Sequence, residues 1–208
     1  MSIRKKNFKH FDTKCIYCKE KKILNQYGFC SPCFKYITVI ENLPKVDKYH
    51  IFKYEGPIKE IIQDLKYRRK KFLAKQLANI IFTHIQKGSI KEFDFIIPVP
   101  LHWRKEFKRG FNQSALISVY LGVKLKKKTL LGVLVKNKNT LSQTNLTFSE
   151  RKLNIKNAFI VRKPPLIKGK QLLLLDDVYT SGATVNEAKK TLISVGASEV
   201  IILTLARV

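Results

Sequence analysis

The sequence predicts an α/β fold, a parallel sheet flanked by helices, with a small cysteine-bearing module ahead of it. Leu172-Leu173-Leu174-Leu175 and Val200-Ile201-Ile202-Leu203 are continuous apolar runs of strand length. Such runs suit strands buried on both faces of a parallel sheet. Between them Val185, Ala188, Leu192 and Ile193 keep helical spacing, which completes a strand–helix–strand unit. The third observation is that all four cysteines fall within the first 33 residues.

The 208 residues have room for one domain of ordinary size and a small module. The expected division is residues 1–45 for the cysteine module and 46–208 for the sheet domain. No apolar run approaches the roughly 20 residues that span a bilayer. Met1 to Thr13 is basic but has no apolar stretch behind it, so a secretory signal is not expected and the cytoplasm is the expected compartment. Lys and Arg number 41 against 15 Asp and Glu, a net charge of +26. A field of that size attracts polyanions such as nucleic acid and phosphorylated metabolites.

Cys15-Ile16-Tyr17-Cys18 and Cys30-Ser31-Pro32-Cys33 are two C-x2-C knuckles at short separation. Each tight turn places two sulfurs on one edge, and four thiolates suit a tetrahedral zinc. Two disulfides would use the same cysteines, but the expected compartment argues for metal. Gln26-Tyr27-Gly28-Phe29 supplies the return of a small hairpin between the knuckles, and His10 is surplus to a four-sulfur site.

Glu41 to Lys45, broken by Pro44, marks the boundary. Lys48 to Tyr54 reads as a strand. Pro57 opens a helix carrying Ile58, Ile61, Ile62 and Leu65, which ends in the basic cluster 66–71. A second helix covers Leu73 to Ile85. Phe93 to Pro100 reads as a strand entering a rigid loop, and residues 102–112 as a basic loop interleaved with aromatics. Asn112 or Ser114 caps the next helix, and Leu130 to Val135 is a short strand. Residues 136–157 are polar and turn-rich, a long loop of the kind that serves function. Thr184-x-x-Glu187 has the form of a capping box.

The chemistry concentrates where the Leu172–Leu175 strand ends. Asp176 and Asp177 follow at its carboxyl edge, where open α/β sheets bind ligands. Thr180, Ser181, Gly182, Ala183 and Thr184 then lead into a helix. Backbone amides, hydroxyls and the helix N-terminus together suit a phosphate, and the glycine lets it approach closely. The two carboxylates are placed to accept from the vicinal hydroxyls of a ribose. An ordinary capped βα turn needs none of this extra polar chemistry.

The segment from Leu173 through Asp176-Asp177-Val178-Tyr179-Thr180-Ser181-Gly182-Ala183-Thr184 resembles the phosphoribosyl pyrophosphate motif of type I phosphoribosyltransferases. The cysteine module, Tyr54-x-Gly56, Leu65-Lys66-Tyr67, Pro98-Val99-Pro100-Leu101 and Arg109-Gly110-Phe111-Asn112-Gln113 widen the likeness. So do Gln143, Arg151, Asn154 and the ending Leu203-Thr204-Leu205-Ala206-Arg207. Over nearly its whole length the chain resembles the ComF family of competence proteins (ComFC type). Ser181 stands where the motif more often has threonine, and it keeps the hydroxyl.

The resemblance implies a type I phosphoribosyltransferase-like sheet behind a zinc-ribbon-like module. It implies a cytoplasmic factor for natural transformation, or DNA uptake, that handles incoming single-stranded DNA, with competence or recombination proteins as partners. By position after the second strand of that fold, Arg104, Lys105, Lys108 and Arg109 suit either pyrophosphate or a DNA backbone. Trp103 and Phe107 either stack on bases or pack in the core. Lys66 and Arg68 either reach the pocket or dress a helix end. Gln143, Arg151 and Asn154 lie in the long loop, which could close over a ligand. The other reading is a salvage phosphoribosyltransferase, in which magnesium bridges pyrophosphate and ribose oxygens while a base displaces pyrophosphate. Nothing in the sequence specifies that acceptor base, and no catalytic residue can be assigned.

Overall fold

The computed structural model describes residues 14–41, 47–88, 90–138 and 154–208. The cysteine module holds one short helix, α1 (Ser31–Phe34). It is followed by β1 (Lys48–Lys53), α2 (Gly56–Tyr67), α3 (Leu73–Ile85) and β2 (Phe95–Pro98). Next come α4 (Trp103–Arg109), α5 (Gln113–Leu125), β3 (Lys128–Thr129), β4 (Leu134–Lys136) and β5 (Phe159–Val161). A 3-10 turn (Pro164–Leu166) leads to β6 (Gln171–Tyr179), α6 (Ala183–Ser194) and β7 (Glu199–Arg207).

Five strands form one sheet in the order β1-β7-β6-β2-β3, and every pairing in it is parallel. The four-leucine run lies at its centre with all four side chains at 0% exposure. Strand alternation divides these residues between two cores. Leu173, Leu175, Ile201 and Leu203 pack toward α2, α3 and α5, whereas Leu172, Leu174, Val200 and Ile202 pack toward α6 and the β4–β5 ribbon. The helix predicted after Pro57 forms as α2, burying Ile58, Ile61, Ile62 and Leu65 on one face. Its C-terminus therefore arrives at the carboxyl edge of the sheet.

The cysteine module shares the first of these cores. Tyr27 meets Phe52 edge-on, with ring centroids 5.5 Å apart. The Ile40 N–H donates to the Ile51 carbonyl at 2.9 Å, and the Lys53 N–H donates to the Thr38 carbonyl at 3.0 Å. Among the described residues no helix is long and apolar enough to cross a membrane.

Several sequence expectations change. Residues 103–109 are a helix, not a basic loop: the His102 side chain accepts from the Arg104 N–H, and Gly110 at φ 82° ends the turn. The strand expected over Leu130–Val135 is broken by a turn at Gly132, φ 70°. β6 does not stop at Leu175 but runs through Tyr179, so Asp176 and Asp177 lie inside the strand. The capping box does not form. Gly182 in the left-handed region is the N-cap, and Glu187 instead accepts from the Asn157 N–H at 2.7 Å. Of the long loop, Lys136 belongs to β4, while Gln143 and Arg151 lie outside the described residues, as do His10 and Pro44.

Candidate functional site

At the carboxyl edge of β6 a cavity of about 300 Å³ is lined by Tyr54, Lys66, Tyr67, Asp176, Thr180 and Thr184, among others. Its floor is the turn into α6. Gly182 has φ 74°, and a Cβ built on it would lie 2.2 Å from the Tyr179 hydroxyl. Only glycine fits a backbone so placed beneath that ring. The first amides of α6 lack intrahelical partners by construction and carry the positive end of the helix dipole. Thr180, Ser181, Ala183 and Thr184 surround this helix start, whose free amides are of the kind that suits an anion, and the Ser181 hydroxyl lies 3.4 Å from the Ala183 N–H.

The two acids have different surroundings. Asp176 borders the cavity and accepts through Oδ1 from the Ser114 hydroxyl and the Asp177 N–H, both at 2.9 Å. Burial, reinforced by the neighbouring Asp177 charge, pushes its carboxyl up to about 7. Asp177 is 4% exposed and pairs with the Lys66 ammonium at 2.8 Å. Burial is the largest single influence on Lys66 and works against its charged form, yet the charge and hydrogen bond of Asp177, with the nearby Asp176 and Tyr54, together raise the ammonium above its ordinary value. So Lys66 reaches the pocket, whereas Arg68 pairs with Asp64 on the surface at 2.8 Å. The Ser114 contact with Asp176 was invisible in the sequence, because α5 and β6 meet only through the topology.

Arg104, Lys105, Lys108 and Arg109 all lie on α4, which buries none of its residues. Trp103 and Phe107 are exposed, 64% and 86%, and so are not core residues. Arg104 lies over the Trp103 ring at 5.2 Å. The structure joins this helix to the other basic cluster: Arg69 donates to the Lys108 carbonyl at 3.3 Å, and Arg109 covers the exposed Tyr67 ring at 5.5 Å. Lys71 over Phe111 and Lys19 over Phe72 continue the same alternation of cation and ring toward the cysteine module. Lys136, overlooked in the sequence, has its ammonium lowered to about 8 by burial and by Lys105, partly offset by Asp176.

Cys15, Cys18, Cys30 and Cys33 are all unpaired thiols whose sulfurs lie within 4.8 Å of one another. Cys18 and Cys30 sulfurs are 3.8 Å apart. Metal–sulfur bonds of about 2.3 Å in a tetrahedron require sulfur–sulfur edges of about 3.8 Å, so the cluster fits a metal such as zinc. Burial opposes the Cys15 thiolate, but backbone donors at Cys30, Cys18 and Tyr17 outweigh it and bring the thiol to about 7. Leu24 and Cys30 bridge antiparallel, and Gly28 donates to the Asn25 carbonyl at 2.9 Å, which makes the return between the knuckles.

The family model of the phosphoribosyl transferase domain matches residues 109–208, and the parallel sheet has that type I architecture. Competence protein F of Haemophilus influenzae is 28% identical to this chain, over 95% of this chain and 98% of its own length. The DNA utilization protein YhgH of Escherichia coli O6:H1 is 27% identical, over 93% and 96%. Competence protein ComFC of Streptococcus pneumoniae is 31% identical, over 76% of this chain and 66% of its own. The likeness to these relatives extends well beyond the domain model and takes in the sequence ahead of residue 109. The chain is therefore a ComF-type protein with a phosphoribosyltransferase domain.

Proposed function

We propose that this chain is a cytoplasmic competence factor that handles incoming single-stranded DNA on its basic face and holds a ribose 5-phosphate group in the pocket at 176–184. The observation that carries the DNA reading is the union of two basic segments, through Arg69 on Lys108 and Arg109 on Tyr67. Together they offer cations for phosphates and exposed rings, Tyr67, Trp103 and Phe107, for bases. That alternation suits a single strand bound without regard to sequence. The relatives named for competence and for DNA utilization support the same direction. Binding of labelled oligonucleotides followed across a salt series tests it: affinity falls steeply as salt rises, and similarly for different sequences. Salt-insensitive binding, or none, overturns the reading.

In this reading residues 1–45 form a zinc module held by Cys15, Cys18, Cys30 and Cys33, and residues 46–208 the phosphoribosyltransferase-like part. Competence or recombination proteins are the expected protein partners. The pocket takes the ribose through Asp176 and Asp177 and the phosphate through the turn Thr180–Thr184.

The intact acidic pair above a glycine-floored turn also favours a second reading, an active phosphoribosyltransferase of base or nucleotide salvage. Release of pyrophosphate from phosphoribosyl pyrophosphate in the presence of a nitrogen base separates the two. Turnover with one base favours the enzyme.

A further inference from the structure

We infer that the pocket at 176–184 receives the 3′-terminal nucleotide of the single strand held on the basic face, so that one ligand fills both sites. The inference rests on the two readings proposed above, the sugar-phosphate pocket and the single-strand face.

Two pairs of consecutive residues tie the pocket to that face. At the end of α2, Lys66 pairs with Asp177 at 2.8 Å, while Tyr67 lines the cavity and carries the Arg109 guanidinium of α4 over its ring. At the start of α5, Ser114 donates to Asp176 at 2.9 Å, while the Gln113 side chain accepts from Arg109. Neighbouring residues stand about 3.8 Å apart along a chain. Arg109 is therefore seated beside the pocket, and Tyr67, 71% exposed, belongs to both sites. Arg104, Lys105 and Lys108 continue from Arg109 along a helix that buries none of its residues. A strand whose phosphates follow these cations ends its run at the mouth of the cavity.

The chemistry of the pocket selects which end of a strand enters. Asp176 borders the cavity, and its Oδ1 already accepts from Ser114 and from the Asp177 N–H, so Oδ2 is left for a ligand hydroxyl. The free amides at the start of α6 suit a phosphate. In a DNA strand only the 3′-terminal sugar carries both a free ring hydroxyl and a 5′ phosphate. Every other sugar has its 3′ oxygen tied up in a phosphodiester. A phosphate in place of the terminal hydroxyl would set two anions against each other where burial already disfavours the Asp176 charge. The cavity, about 300 Å³, is at the small end of ligand pockets, with room for one sugar phosphate and not for a run of nucleotides.

Fluorescence anisotropy on the full chain, at one salt concentration, tests this with one oligonucleotide sequence in three forms: linear with a 3′ hydroxyl, linear with a 3′ phosphate, and closed into a circle. The 3′-hydroxyl form should bind about tenfold tighter than either of the others. Saturating ribose 5-phosphate should bring the three to within about twofold of one another, and so should Asp176→Asn. Calorimetry reads the binding of ribose 5-phosphate separately. A wild type that binds ribose 5-phosphate but takes the three forms alike overturns the inference and leaves the pocket reading standing. So does a 3′-hydroxyl preference that survives in Asp176→Asn. Three forms bound alike with no binding of ribose 5-phosphate remove the pocket reading and the inference together, and a chain that binds no strand removes the single-strand reading and the inference. The wild-type arms decide the matter even if the variant melts early.

Discussion

The Arg109 guanidinium covers the Tyr67 ring at 5.5 Å, fixing the end of α4 against the end of α2. A single strand bound on this face should meet cations at its phosphates and rings at its bases, and the two sets should differ in how they act on the salt dependence. Replacing Arg104, Lys105, Lys108 and Arg109 with Gln should flatten the salt dependence, by up to about 0.7 in log–log slope for each phosphate left without its cation. Trp103→Ala and Phe107→Ala should leave the slope alone and weaken binding by about 1–3 kcal/mol for each base unstacked. Fluorescence anisotropy across a salt series measures both. Equal effects of the two sets on the slope would contradict the division.

The two acids should respond oppositely to removal of charge. The Asp176 pKa is raised to about 7 in the fold, above its ordinary value of 3.8. The folded state then holds a proton that the unfolded chain has released, so stability is lost as pH rises from about 4 through about 7. Asp176→Asn should recover that loss, giving a more stable protein than wild type at pH 8 and no gain near pH 4. Asp177→Asn instead strands the buried Lys66 charge and should cost about 3–5 kcal/mol at neutral pH. Urea unfolding across pH reads both. Ribose 5-phosphate affinity in wild type should rise with pH through 7 as Asp176 ionises.

Gly182→Ala should abolish ribose 5-phosphate binding and cost about 1–2 kcal/mol from the left-handed backbone alone. The new Cβ also collides with Tyr179, at 2.2 Å from its hydroxyl. Adding Tyr179→Ala should relieve the collision but not the backbone term. A double-mutant cycle in thermal unfolding should accordingly show a favourable coupling between the two changes. Additive losses would mean that the ring moves aside freely.

Purified protein should carry about one zinc ion per chain. Cys30→Ser should lose the ion and lower the melting temperature of the whole molecule, because Cys30, Phe29 and Tyr27 sit in the same core as Phe52 and Ile58. Metal analysis together with calorimetric melting checks this. A metal-free variant that melts with wild-type cooperativity and midpoint would refute it.

The sheet, the strand–helix–strand unit and the cysteine cluster were legible because apolar runs and ligand spacing are local signals. α4 was not: it buries no residue, so its sequence carries no apolar periodicity, and its stop at Gly110 and start at His102 look like loop residues. The position of the acids was misread because polar residues inside a strand resemble its end. β6 continues as a strand because it pairs with β7 as far as Tyr179 with Arg207. The capping box failed for a related reason. Gly182 already turns the chain, and Thr184 falls one residue inside the helix. Lys66 with Asp177 and Ser114 with Asp176 are long-range meetings, fixed by which helix the topology lays beside which strand.

The edge-on contact of Tyr27 with Phe52 bears on how the molecule can be handled at the bench. The chain looks divisible near residue 45, and a shortened protein beginning there is the obvious choice for producing the phosphoribosyltransferase part by itself. Such a fragment would uncover Ile51, Phe52 and the flank of α2 and α3, all buried in the intact chain. Contiguous apolar surface of that kind drives aggregation. The shortened form should therefore go to inclusion bodies, and growth medium stripped of zinc should have the same effect on the full chain.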